Sequence, residues 1–85
     1  MKVYIPTPLR SYTKQSVVQA EGATLAELFD DLERQFPGIR FRVINEQDAI
    51  REHIKVSVNQ SIADDLTASL APDDDVRIIM AISGG

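Results

Sequence analysis

The residues with the clearest chemical potential lie in the last stretch of the chain, "VRIIMAISGG" (76–85). A hydrophobic run gives way to Ser83, Gly84 and Gly85. Glycine loses the most backbone entropy on ordering and has no side chain to pack, so a Gly-Gly pair adds nothing to a core. What it offers is a backbone thin enough to follow a narrow path. Extended at roughly 3.3 to 3.6 Å per residue, Ser83 to Gly85 would reach about 10 Å beyond the preceding strand. On the sharper reading that reach takes the last carboxylate somewhere narrow; on the blander one the pair is a frayed end.

The other candidates are weaker. His53 is the only histidine and there is no cysteine, so it lacks the companions that a metal site or an oriented acid–base pair needs. Asp73, Asp74 and Asp75 look like part of a calcium loop, but the internal glycine and distal bidentate glutamate are missing, which leaves an acidic turn. The six serines have no credible base among them, because one histidine cannot supply a triad. No glycine-rich loop leads into a helix, so the chain has no phosphate cradle of its own.

Eighty-five residues with 44% hydrophobic content suit one domain with a modest core. The absence of cysteine excludes disulfides, thiolate clusters and a cysteine nucleophile together. Nowhere are there 18 consecutive apolar residues, and the start "MKVYIPTPLR" lacks the apolar run of a signal peptide. The expectation is a soluble, cytoplasmic protein that binds no membrane. With a net charge of −4 and its nine basic residues scattered along the chain, it is expected to bind no nucleic acid. An acidic domain of this kind is steered toward partners with basic grooves.

Hydrophobic periodicity supplies the elements that must hold the tail. "KVYIP" (2–6) alternates as a short strand, and "QSVVQA" (15–20) reads as its hairpin partner after a polar connection through Pro8, Ser11, Tyr12 and Thr13. Thr24 and Glu27 have the spacing of a capping box ahead of a helix whose apolar stripe is Leu25, Leu28, Phe29, Leu32 and Phe36. Asp30, Asp31, Glu33, Arg34 and Gln35 fall on its solvent side, and Pro37-Gly38 stop it. Residues 39–52 read as an irregular crossover, with strand-like alternation at Ile39, Phe41 and Val43. "HIKVSVN" (53–59) alternates cleanly, with Ile54, Val56 and Val58 inward and His53, Lys55, Ser57 and Asn59 outward. Ile62, Leu66 and Leu70 are further apolar anchors before a Pro72-Asp73 turn. The closing strand, 76–82, is apolar enough to be central.

This order predicts an α+β domain, a mixed sheet with one main helix packed across it. Pairing the last strand parallel to the first gives a β-grasp arrangement. The domain is expected over 1–82, with 83–85 as a flexible tail projecting from the middle of the sheet. On the exposed face of the central strands, Tyr4, Arg77 and Ile79 have the composition of an interface anchor, an aromatic and an aliphatic beside an arginine.

With that order ending in Gly84-Gly85, the chain resembles the ubiquitin-like sulfur carriers of the ThiS/MoaD family over essentially its whole length. "IPTPLRSYT" (5–13), "AEGATLAEL" (20–28), "DLERQFPGIRFR" (31–42), "VSVN" (56–59) and "AISGG" (81–85) resemble the CysO-like branch, which serves cysteine biosynthesis. Four positions depart from it: Lys14 and Gln15 stand where many relatives have glycines, Gln60 stands where many have the glycine of Asn-Gly, and Met80 replaces a common proline.

The resemblance implies a protein cosubstrate and not an enzyme. A ubiquitin-activating-type enzyme, using ATP and magnesium, would convert Gly85 to an acyl-adenylate, and sulfide or a persulfide would displace AMP to leave a thiocarboxylate. The acceptor implied for this branch is a pyridoxal-phosphate-dependent cysteine synthase, with a JAMM-type metalloprotease releasing the product from the tail. The carrier itself would bind no cofactor. Two further roles share the tail, sulfur delivery in molybdopterin or thiamine formation and a ubiquitin-like protein modifier.

Overall fold

In the computed structural model the described residues are 1–80, so Ala81 and Ile82 of the closing strand and the whole expected tail, Ser83, Gly84 and Gly85, lie outside them. Five strands form one mixed sheet: β1 (Lys2–Tyr4), β2 (Val17–Gln19), β3 (Ile54–Val58), β4 (Ser61–Ile62) and β5 (Asp75–Met80), in the spatial order β2-β1-β5-β3-β4. β5 is central, as its composition predicts. It runs parallel to β1, with Val3 opposite Val76 and Tyr4 opposite Arg77, and antiparallel to β3, with Ile54 opposite Met80. This is the β-grasp arrangement.

The main helix, α2 (Leu25–Gln35), starts where the capping box puts it. The Thr24 side chain accepts the Glu27 N–H, and the Glu27 carboxylate takes the Ala23 N–H at 3.2 Å. Leu25, Leu28, Phe29 and Leu32 are fully buried against Val3, Ile5, Val56, Val76 and Ile78 of the sheet, while Phe36 packs at the margin. Gly22 lets the approaching chain lie directly on the first turn, because a Cβ there would sit 2.5 Å from the Leu28 nitrogen. Asp31 and Glu33 do not simply face solvent. Asp31 accepts the Glu21 N–H, and Glu33 accepts the N–H groups of Gly38 and Arg40.

Two connections differ from the sequence-based expectation. Between β1 and β2 the polar stretch is helical, a 3₁₀ turn at Thr7–Leu9 followed by α1 (Arg10–Thr13). It buries Leu9 completely, and Lys14 closes it in the left-handed region at φ 61°. The strand-like alternation at residues 39, 41 and 43 is instead a helix, α3 (Ile39–Val43). Ile39 and Val43, four apart, are buried on one face, and Phe41 points outward at 55% exposure. With β-branched residues at the ends of so short a segment, periods of two and four coincide, so alternation could not separate strand from helix.

Smaller corrections fall on β3 and β4. Ser57, expected outward, is buried because it stands between its cross-strand neighbours Arg77 and Ile62 on the open face of the sheet. Ile62 is 54% exposed, whereas Leu66 is buried and Leu70 partly so.

Candidate functional site

Each residue of β5 is positioned by its neighbours. Val76 and Ile78 are locked into the core, so alternation sends Arg77 and Ile79 to the opposite face. Tyr4 reaches the same face from β1, directly beside Arg77 in the parallel register. The Arg77 guanidinium lies over the Tyr4 ring, 4.3 Å from its centre. Such stacking orients the planar cation while leaving its edge free to donate. Ile79 is 40% exposed, one of three large hydrophobic residues so exposed among the described residues. The structure therefore brings the three sequence-predicted docking residues, Tyr4, Arg77 and Ile79, onto one surface.

They line an open groove of about 560 Å³ whose walls continue through Pro6, Pro8 and Arg10 and end at Met80. Arg10, which sequence reading did not single out, is held there by donating its Nε–H to the Ile5 carbonyl at 3.0 Å. A second groove of about 360 Å³ meets Met80 as well, lined by Phe41, Arg42, Arg51, His53 and Ile54. In it Arg51 repeats the motif of Arg77. Its guanidinium lies 4.5 Å from the centre of the Phe41 ring, and its Nε–H bonds the Phe41 carbonyl at 2.8 Å. Arg51 was not legible as a site residue, since its partner comes from a helix that alternation misread. His53 is exposed beside this groove, and among the described residues no group of three potential metal ligands forms.

Both grooves thus converge where β5 hands over to residues 81–85. The reacting residue predicted from sequence, Gly85, and its neighbours Gly84 and Ser83 lie outside the described residues. Nor does any helix among the described residues have the length and apolarity to cross a membrane.

Comparison with known proteins agrees with this geometry. The sulfur carrier protein CysO of Mycobacterium tuberculosis is 34% identical over 89 residues, spanning 98% of this chain and 96% of that protein. A chain in the crystal structure of the Amycolatopsis orientalis BexX/CysO complex superposes with a TM-score of 0.92 at 35% identity, covering 99% of this chain and 98% of its own length. The Haloferax volcanii small archaeal modifier protein shares the fold, with a TM-score of 0.84 at 23% identity over 99% of this chain and 97% of that one. The ThiS family model matches residues 3–85, through both glycines, and the chain belongs to the ThiS family.

Proposed function

We propose that this protein is a sulfur carrier, acted on by enzymes and not itself catalytic. The observation that carries the reading is the placement of β5: the central strand of the sheet ends at Met80, between two open grooves, five residues before the Gly85 to which the family match extends. A rigid central strand fixes the origin of the tail, and a side-chain-free Gly84-Gly85 can enter a slot too narrow for side chains.

In this reading a ubiquitin-activating-type enzyme docks on Tyr4, Arg77 and Ile79 and presents ATP and magnesium to the Gly85 carboxylate. The carboxylate oxygen attacks the α-phosphate, expelling pyrophosphate and leaving an acyl-adenylate. Sulfide, or a persulfide followed by reduction with a thiol, then displaces AMP and leaves a thiocarboxylate. The sulfur is carried on the backbone itself, so a chain without cysteine suffices for the task. Similarity to proteins named CysO favours a cysteine synthase using pyridoxal phosphate as the acceptor over molybdopterin or thiamine enzymes.

The test is intact mass after incubation with the host's activating enzyme, ATP, magnesium and sulfide. The full chain should gain the mass of one sulfur in place of one oxygen, and deletion of Gly85 should abolish the gain. An extra C-terminal alanine, which moves the carboxylate about 3.5 Å, should abolish it too, whereas Gly84→Ala should only slow it. Equal modification of the alanine-extended chain would remove Gly85 from the chemistry.

A further inference from the structure

We infer that the edge of the molecule around Met80 is a basic collar that seats an acidic protein surface, with partner carboxylates on both sides of the slot that receives the tail. The inference rests on the carrier reading and names the chemistry of the partner's docking rim.

The two grooves that meet at Met80 contain Arg10 and Arg77 in one and Arg42, Arg51 and His53 in the other, and neither is lined by an Asp or Glu. Among the described residues none of these four arginines forms a salt bridge; the cations that do are Arg34 and Arg40, elsewhere on the surface. Glu52, next to Arg51 in sequence, lines an adjoining groove with Lys55 and Asp64 that Arg51 also borders, and neither carboxylate forms a salt bridge with Arg51 among the described residues. The opposite end of β5 has the reverse sign. There Asp73, Asp74 and Asp75 line a groove against two cations, the Lys2 side chain and the Met1 ammonium. The net charge of −4 is therefore polarised along the central strand, and the end that meets a partner is positive.

Two of the collar's arginines are pre-set for carboxylates. Arg77 is stacked on Tyr4 on the open face of the sheet and Arg51 on Phe41 from the helical layer, so each of the two grooves that meet at Met80 holds one aromatic-backed guanidinium. A guanidinium held flat on a ring has lost its rotamer freedom already and still offers its outer N–H groups, the arrangement that grips a carboxylate with two bonds. The exposed Phe41 and Ile79 add the apolar contact that a charged rim alone lacks. Opposite charge at such a rim chiefly accelerates encounter and fixes orientation.

The test compares charge reversals at the two ends, with Arg42→Glu alone matching Lys2→Glu in size, and follows adenylation by pyrophosphate release from the full chain and the host's activating enzyme. Arg42→Glu combined with Arg77→Glu should lower kcat/KM about tenfold or more, with kcat at saturation retained. Arg42→Glu alone, at an exposed site with no side-chain bond among the described residues, should give a partial loss in a fold unchanged by circular dichroism. Lys2→Glu should change kcat/KM less than about twofold. The wild-type kcat/KM should fall steadily as sodium chloride is raised. A salt-independent wild-type rate, or a Lys2→Glu loss as large as the double variant's, would overturn the collar while leaving the carrier reading intact. Retention of the wild type on single-stranded DNA, with the enzyme's rate indifferent to both arginines, would overturn it in favour of a nucleic-acid ligand. A wild-type chain that is neither adenylated nor thiolated would sink the carrier reading and take the collar with it.

Discussion

The two ends of β5 use charge in opposite ways. At its start, polar groups are tied to the chain: Asp74 accepts the Ala71 N–H and the Asn59 side-chain amide, both at 2.8 Å, and the Asn59 side-chain Oδ1 accepts the Asp75 N–H at 2.9 Å. Around the helix, Asp31 and Glu33 likewise accept main-chain N–H groups. At the far end, among the described residues, Arg42 and Arg77 make no such bonds, and Arg10 and Arg51 are each anchored through Nε alone. The first end spends its polar groups on architecture, and the second holds them outward. A net charge summed over the chain hides this division, which is why composition points to a basic partner and the structure to an acidic one.

Substitutions that disturb the architecture should cost stability without slowing adenylation of the folded protein, and those at the collar should do the reverse. The largest effect is expected from Gly22→Ala. Its new methyl would stand 2.5 Å from the Leu28 nitrogen and 2.8 Å from the Glu27 carbonyl carbon, backbone atoms that cannot rotate aside, and overpacking of this kind costs about 3 kcal/mol. Denaturant titration measures the loss. Arg42→Glu, by contrast, should stay within about 0.5 kcal/mol of wild type. A slowed kcat/KM in folded Gly22→Ala would break the comparison.

Acid should weaken the same architecture. Backbone N–H donors hold three carboxyls below the ordinary carboxylate range, chiefly that of Glu21 for Asp31, of Gly38 and then Arg40 for Glu33, and of Ala71 for Asp74. Because each folded value is depressed, the stability these groups contribute is fully present above the unfolded value, near pH 4, and is lost as pH falls through the folded one. The thermal midpoint should hold from neutrality to about pH 5 and decline below it. Asp74→Asn should shrink the decline, and an unchanged slope would show that Asp74 is not one of the groups responsible.

Legibility divides along a different line. The capping box, the stripe Leu25-Leu28-Phe29-Leu32 and the strand at 54–58 are signals repeated over several turns or residue pairs, and all reappear in the fold, with the strand's alternation broken only at its end, where Ser57 is buried. Tyr4, Arg77 and Ile79 were readable because β1 and β5 are strands in which alternation alone sets the face. Arg51 and Phe41 were not, because their meeting depends on a five-residue helix and on the turn in which Asn45 accepts the N–H groups of Gln47 and Ala49. Such a segment is too short for periodicity to speak, and tertiary burial of Ile39, Val43 and Ile44 decides it. The glycines of the proposed tail stood out for the opposite reason, since their signal is an absence of side chains that needs no fold to interpret.

The smallest effect, and the sharpest, concerns the two residues of the β3–β4 turn. Asn59 and Gln60 both have positive φ, 50° and 73°, the pattern of the type I′ hairpin turn that favours Asn-Gly. At Gln60 the Cβ is strained against the backbone with no side-chain hydrogen bond among the described residues to offset it, and a left-handed conformation costs an L-residue about 1 kcal/mol or more. Glycine relieves that strain while adding freedom to the unfolded chain, so Gln60→Gly should stabilise the domain by roughly 0.5 to 1 kcal/mol. Asn59→Gly relieves the same kind of strain but removes the side chain that holds Asp74 and the Asp75 N–H. It should therefore destabilise, by about 1 kcal/mol net, since two hydrogen bonds outweigh one relieved residue. Opposite signs in paired denaturant titrations would show that at this end of β5 polar groups are retained for the bonds they make; equal stabilisation by both glycines would show the Asn59 bonds to contribute nothing.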